Sequence, residues 1–543
     1  MNKRILFYVI FVILLAFFFS LFSINEDATV LLYALYSFGR MLAAYILSFA
    51  FSVVYGFYAA RSKRNERIMI PILDILQSVP ILGFFPVVMF ALIAFLPTAV
   101  GVELASIFLI FTSQAWNMAF GVYESIITIP QQISDSAKSF NLRRGQLFRV
   151  LYFPAMIPKL VYNSIMSWAG GWYFLFAAEI ISLGNVSYTL PGLGSFMWEE
   201  VSSNHIYLGL LALGTLVIII ISMDIFIWRP LTITSTKYKY EEVEDTQTYQ
   251  KFYFLKFLSY LPRVKIITDY VKNAFNKILR FRIRKIGMKF KYMKWAWIFL
   301  LLFIIAAIIF GFVANFNQFL ADLAKIKIDQ MTVIPLAIVL SSMRMAVAYA
   351  ISLAWILPVS YYMISHKKAN QILTPIFEVL ASIPATALFP FIVVIFLKFP
   401  GGLNLISIFL IMTGMQWYIL FNVLGGMSNF PADLTEVSKS FKFKRWLYLK
   451  KVFLPGIYPS IITGSITGWG GGWNALIISE YIAINGVVYS VIGLGSLIDI
   501  ATYHNTNIML NLVYLFFMII TVLSFNRLLW KQLYKRVEKY KIE

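Results

Sequence analysis

What most restricts this chain is an internal echo: the conspicuous residues of its first half return in the second at a nearly fixed distance. Ser134-Asp135-Ser136-Ala137-Lys138-Ser139-Phe140-Asn141 is followed, after nine residues, by Leu151-Tyr152-Phe153-Pro154. Thr435-Glu436-Val437-Ser438-Lys439-Ser440-Phe441-Lys442 is followed, again after nine residues, by Val452-Phe453-Leu454-Pro455. The separation of 301 between these stretches also relates Trp116 to Trp417, Trp168 to Trp469, Trp172 to Trp473, Glu179 to Glu480, and Gly192-Leu193-Gly194-Ser195 to Gly493-Leu494-Gly495-Ser496. Earlier in each half the separation is 304, relating Arg40 to Arg344, Pro71 to Pro375, Asp74 to Glu378, and Ser78-Val79-Pro80 to Ser382-Ile383-Pro384. One short deletion between the two blocks accounts for the change. Whatever the first half folds into, the second must fold into again.

The solvent for that fold is set by composition. A chain that is 60% hydrophobic and only 13% charged is too apolar for an ordinary soluble globule. Its net charge of +21 does not point to nucleic acid, because the basic residues fall in gaps between long apolar runs. That placement is what retention of Lys and Arg in cytoplasmic loops produces. Cysteine is absent, which excludes disulfides, thiol catalysis and Cys metal sites.

Six spans are expected per half. Lys3 and Arg4 precede an apolar run from Ile5 to about Ile24. A cleaved signal peptide is one reading, but the run has the ~20 residues needed to cross ~30 Å of hydrocarbon. Its duplicate after Trp295 lies mid-chain, so both are read as spanning helices. The second span runs from about Val30 to Ala60 and ends on Arg61, Lys63, Arg64 and Arg67, placing that end inside. The third, Ile68 to about Leu96, holds Pro71, Pro80 and Pro86 and should be kinked or broken near Ser78-Val79-Pro80. The fourth, Val102 to about Val122, delivers the chain to the repeated loop, which is inside because it carries Arg143, Arg144, Arg149 and Lys159. The fifth, Leu160 to Leu183, leads out to the Gly-Leu-Gly-Ser segment, and the sixth, Ile206 to Trp228, returns at Arg229.

The expected fold is therefore an all-α polytopic membrane protein of about 12 transmembrane helices, with both termini cytoplasmic. Residues 1–228 form the first repeat with its loop at 130–158, and 295–543 the second with its loop at 431–459. An even number of spans makes the repeats parallel, with a pathway between them near the midplane. Residues 229–294 carry sixteen Lys or Arg and five Asp or Glu. From Lys251 onward they interleave with Phe, Leu, Ile and Val, which suits helices lying on an anionic inner leaflet; a soluble basic spacer is the alternative, but the apolar residues are too many to leave in water.

Charges inside spans cost at least ~2.5 kcal/mol at the bilayer centre unless paired or wetted, so they mark function or tight structure. Arg40 and Arg344 sit well inside the second spans, and Glu179 and Glu480 near the outer ends of the fifth. Pairs Arg40 to Glu179 and Arg344 to Glu480 would tie helices together; alternatively the arginines face the pathway and attract an anion. Mid-fifth-span clusters Trp168-Ala169-Gly170-Gly171-Trp172 and Trp469-Gly470-Gly471-Gly472-Trp473 permit close helix approach or unwinding, with the tryptophans as a gate or as filler. Asp74 and Glu378 lie near the cytoplasmic ends of the third spans, where snorkelling is easy. His205 and His504, with no carboxylate cluster or Cys nearby, make a weak metal site.

The doubled loop resembles the EAA loop of ABC-importer permeases, which reads Glu-Ala-Ala, three residues, Gly, nine residues, Ile, any residue, Leu-Pro. Asn141 and Lys442 stand at the Gly position here. Pro71 to Pro80 and the spacing from Glu179 to Gly192-Leu193-Gly194 resemble the nitrate/sulfonate/taurine branch of these permeases. The likeness covers nearly the whole chain apart from the linker and implies a fused pair of type I permease units. It further implies two copies of a separate ATPase, which carry ATP and Mg, docked on the loop residues Asp135 to Asn141 with Pro154, and Glu436 to Lys442 with Pro455. An external binding protein would deliver a small solute, such as a nitrate, sulfonate, taurine or bicarbonate-type anion, across the cell membrane. No Gly-x-x-x-x-Gly-Lys-Ser/Thr occurs, so the chain has no phosphate-binding loop of that type and no cofactor of its own is expected. A secondary carrier with two six-span halves, or a membrane scaffold without transport, remain competing readings of the topology.

Overall fold

A backbone in lipid must satisfy every N–H and C=O, and outside a closed barrel only helix does so within one segment. A computed structural model describes residues 24–238 and 321–537 apart from 79, 141, 143, 184–185, 322, 429–439, 442, 485–486 and 505–506. The expected first span of each half, the linker beyond 238, Asn141, and Glu436 to Lys439 with Lys442 of the second loop lie outside the described residues.

In the first half α1 (Ile24–Ala60) ends beside the basic cluster at 61–67. The third span is not one kinked helix. It is two helices, α2 (Lys63–Ser78) and α3 (Ile81–Phe95), parted at Pro80, which has no N–H to continue the ladder. The 15 residues of α3 reach only about 22 Å, short of the hydrocarbon thickness. α4 (Thr98–Ile127) follows, then a short α5 (Gln131–Ser139). Arg144–Leu147 and a wide turn at Phe148–Tyr152 lead into α6 (Phe153–Glu179). Strands β1 (Ile180–Leu183) and β2 (Val186–Thr189) form an antiparallel hairpin, α7 (Leu193–Ser202) folds back, and α8 (Ile206–Met223) closes the unit. The sixth helix runs past Trp228, continuing through a wide turn at Asp224–Trp228 to Ser235.

The second half repeats this order with α9 (Ile334–Ser365), α10 (Lys367–Ser382), α11 (Ala385–Phe396), α12 (Gly402–Ser428), α13 (Leu454–Ser479), β3 (Tyr481–Ile484), β4 (Val487–Ser490), α14 (Leu494–Asp499) and α15 (Ile508–Phe525). Among the described residues six helices are long and apolar enough to cross a membrane. α6 and α13 are long but carry Ser, Gly and Asn that protein neighbours, not lipid, accommodate.

The halves meet along a seam with an approximate two-fold relation. α3 packs on α13 and α15, while α11, its counterpart, packs on α6 and α7. The Ile81 N–H, orphaned by the break at Pro80, donates to Asn474 Oδ1 across the seam at 2.8 Å. Thr386 donates to the Tyr173 carbonyl at 3.0 Å, and Trp198 stacks on Phe389 at 5.6 Å between ring centres. One buried cluster, including Phe85 and Met89 with Ile477 and Leu510, runs through the interface.

Candidate functional site

At the far end of α6 from the loop, Glu179 is fully buried and still carries a full set of partners. Its Oε1 accepts from Ser37 at 2.6 Å and from Arg40 Nη1 at 2.9 Å, and its Oε2 from the Gly194 N–H at 2.7 Å. That N–H lies at the start of α7, where unsatisfied amides and the helix dipole favour an anion. The segment Leu-Pro-Gly-Leu-Gly-Ser is thus explained by the carboxylate it wraps. A Cβ on Gly192 would collide with the Glu179 carboxyl carbon, and Ser195 Oγ turns back to the Leu190 carbonyl at 2.5 Å. Arg40 also donates to the Pro191 carbonyl at 3.0 Å, tying α1, α6 and α7 into one node.

The second half builds the same node. Glu480 accepts from Arg344 at 2.6 Å, Ser341 at 2.8 Å and the Gly495 N–H at 2.9 Å. One partner differs. Arg40 has a second carboxylate, Glu103 on α4, at 2.6 Å, whereas Arg344 meets the neutral Asn404 at 2.9 Å. Neither arginine is free to present a bare charge to a solute, because both guanidinium groups are engaged by carboxylates and carbonyls.

Gly171 and Gly472 are positions of close helix approach. A Cβ on Gly171 would stand 2.5 Å from Gln114 Nε2 and 2.6 Å from Met41 Cε, and one on Gly472 2.6 Å from Met415 Cε. The neighbouring Gly170 has nothing within 4 Å. Gly171→Leu is therefore expected to destabilise the chain by overpacking, about 1–3 kcal/mol or more, while Gly170→Ala leaves the thermal midpoint in detergent unchanged. The ring neighbours of Trp168 are Phe38, Tyr45, Trp172 and Trp228, all of its own half. Trp469 likewise meets Tyr349, Trp473, Phe525 and Trp530. Each Trp cluster is thus built from helices of its own half.

The described loop residues of the first half form a projecting handle. Asp135 to Ser139 are helical, with Ser136 and Ser139 hydroxyls donating back to the Gln132 and Asp135 carbonyls at 2.8 and 3.0 Å. Phe140 is 77% exposed and Phe441 72%, an unusual state for phenylalanine at matched positions. Pro154 and Pro455 explain the wide turns that precede them. A proline inside a continuous helix removes one backbone bond and clashes with the turn before it, and widening that turn relieves the clash. Hence the Phe153 N–H reaches back to the Phe148 carbonyl and that of Leu454 to Leu449. The handle connects through this joint to α6, a rod of 27 residues, or about 40 Å, ending at the Glu179 node.

Sequence reasoning missed Glu103, Asn404, Ser37, Ser341, Tyr45, Tyr349, Trp228 and Trp530. Ser37 and Tyr45 recur at separation 304, so the repeat itself held the signal for them. His205 Nδ1 lies 2.9 Å from Glu200, and among the described residues no group of three or more His, Cys, Asp or Glu could hold a metal ion. The side chains of Asp74 and Glu378 lie outside the described set.

The family model described as binding-protein-dependent transport system inner membrane component matches twice, over residues 52–229 and 350–537. The chain is 25% identical to the bicarbonate transport system permease protein CmpB of Synechocystis sp. over 170 residues, 31% of this chain and 56% of that one. It is 25% identical to the nitrate import permease protein NrtB of Synechococcus elongatus over 151 residues, 28% of this chain and 53% of that one. The matched region thus spans little more than half the length of these relatives. With the family model covering well over half of the sequence in two copies, one in each structural unit, the chain belongs to the binding-protein-dependent transport system inner membrane components as a fused duplicate of their permease fold.

Proposed function

We propose that this chain is the membrane permease of an ATP-driven importer for a small anion of the nitrate, bicarbonate, sulfonate or taurine type. Two separate ATPase subunits seat on the handles at Phe140 and Phe441, and an external binding protein delivers the solute at the opposite face, where the hairpins lie. The observation that supports this reading is the helical run from Arg144 to Glu179, which begins a few residues after the exposed Phe140 and ends at the buried node. Under this reading a push near Phe140 is carried along that run to the node. Both termini are inside the cell under this reading, and ATP with Mg belongs to the partner. The names of the bicarbonate and nitrate relatives support the anion class.

Reconstitution of the chain with its ATPase and binding protein in proteoliposomes tests the proposal. Uptake should require ATP on the handle side and stop with a non-hydrolysable analogue. Uptake driven by an ion gradient without any ATPase would instead establish a secondary carrier.

A further inference from the structure

The repeat breaks at a buried position on the seam. At separation 301 from Trp198, whose ring stacks on Phe389 of the opposite half, stands Asp499. Its flanking residues lie against the first half: a Cβ on Gly83 would come within 3.9 Å of Ile498, and the turn Ile500–His504 packs on β1. Asp499 is 6% exposed and forms no ion pair or hydrogen bond among the described residues. Arg344, the cation of the adjoining node, already holds Glu480, Asn404 and the Ile492 carbonyl. Glu480 itself is within electrostatic reach of Asp499, as is Tyr481.

A second buried acceptor lies on α15, which packs against this segment. Asn511 is 1% exposed, and its Nδ2 donates to the Ile498 carbonyl at 3.3 Å and to Thr502 Oγ1, which fixes the amide orientation and leaves Oδ1 without a donor among the described residues. Two buried acceptors, one on α14 and one on α15, with no donor to match them among the described residues are costly in a low-dielectric seam, and a second negative charge next to Glu480 more so. The other titratable groups on the elements packed there are Tyr514, which donates to the Gln330 carbonyl, and Tyr503 and His504, which follow in sequence.

We propose that Asp499 is the site of a positively charged hydrogen donor in the seam, taken either from the transported solute as an ammonium group or from water as a proton. The solute arm rests on the importer reading; the proton arm does not. With the seam closed the carboxyl is neutralised by this donor. Parting of the halves wets it and releases the donor, so that the charge state of Asp499 follows the conformational cycle. The first half, with Trp198 at the same place, has no such site, which makes the two sides of the route chemically unlike.

Infrared difference spectra between the purified full chain in nanodiscs and its Asp499→Asn and Asp499→Ser variants test the assignment without transport. Near neutral pH the wild type should show a protonated-carboxyl band that both variants lack. Loss of that band on adding an aminated sulfonate with the binding protein identifies the solute as the source, and a band lost only on alkalinisation identifies a proton. Absence of the band at neutral pH without solute overturns the proposal. In proteoliposomes the ATP-driven uptake rate should change up to tenfold per pH unit around the titration and become flat with pH in Asp499→Asn. Failure of wild-type uptake altogether would count against the importer reading and leave the infrared result standing.

Discussion

Arg40→Leu is expected to remove most folded protein, a loss of about 3–5 kcal/mol, because it strands the fully buried Glu179 carboxylate without its cation. Arg344→Leu should do the same to Glu480. The double change Arg40→Leu with Glu179→Leu should recover part of the loss, since an apolar pair leaves no uncompensated charge. Glu103→Gln makes the useful contrast. That carboxylate is 40% exposed and its counterpart is the neutral Asn404, so its loss should cost no more than ~1 kcal/mol. The fraction of monodisperse protein after detergent extraction, with the thermal midpoint, reads all four variants. A wild-type midpoint for Arg40→Leu would show that the node does not hold α1, α6 and α7 together.

The second large effect is expected at the handles. Phe140→Asp together with Phe441→Asp should lower ATP-driven uptake by more than 100-fold, since well-packed aromatic anchors contribute at least ~2 kcal/mol each at interfaces. Stability should hardly change, because both rings are exposed and bury little in the chain itself. Either single change should leave intermediate activity, as one handle still seats. Co-purification of the ATPase separates lost docking from lost coupling.

How much of this was legible beforehand depended on whether the repeat or the local chemistry held the signal. The pairs Arg40 to Glu179 and Arg344 to Glu480 could be read from charges in apolar runs, because a buried charge demands a partner. The break near Pro80 could be read from proline alone. The length of the sixth span could not, because the wide turn at Asp224–Trp228 carries a helix past Arg229 and Pro230, residues that usually end one. The reason for Gly192 and Gly194 was also hidden: only the fold brings the Glu179 carboxylate against them. Glu103 escaped notice because its counterpart is Asn404, so the repeat gave no charge to match.

Under the proposed function, force enters this chain from another polypeptide at two inward-facing tips. The cysteine-free sequence permits a clean measurement. Phe140→Cys and Phe441→Cys, each carrying a thiol-linked photo-crosslinker, are irradiated in membranes that contain the ATPase, and intact cells are treated in parallel with an impermeant maleimide. The account predicts an adduct with the ATPase from each position and no labelling from outside. External labelling of either position, or an adduct from neither, would contradict it.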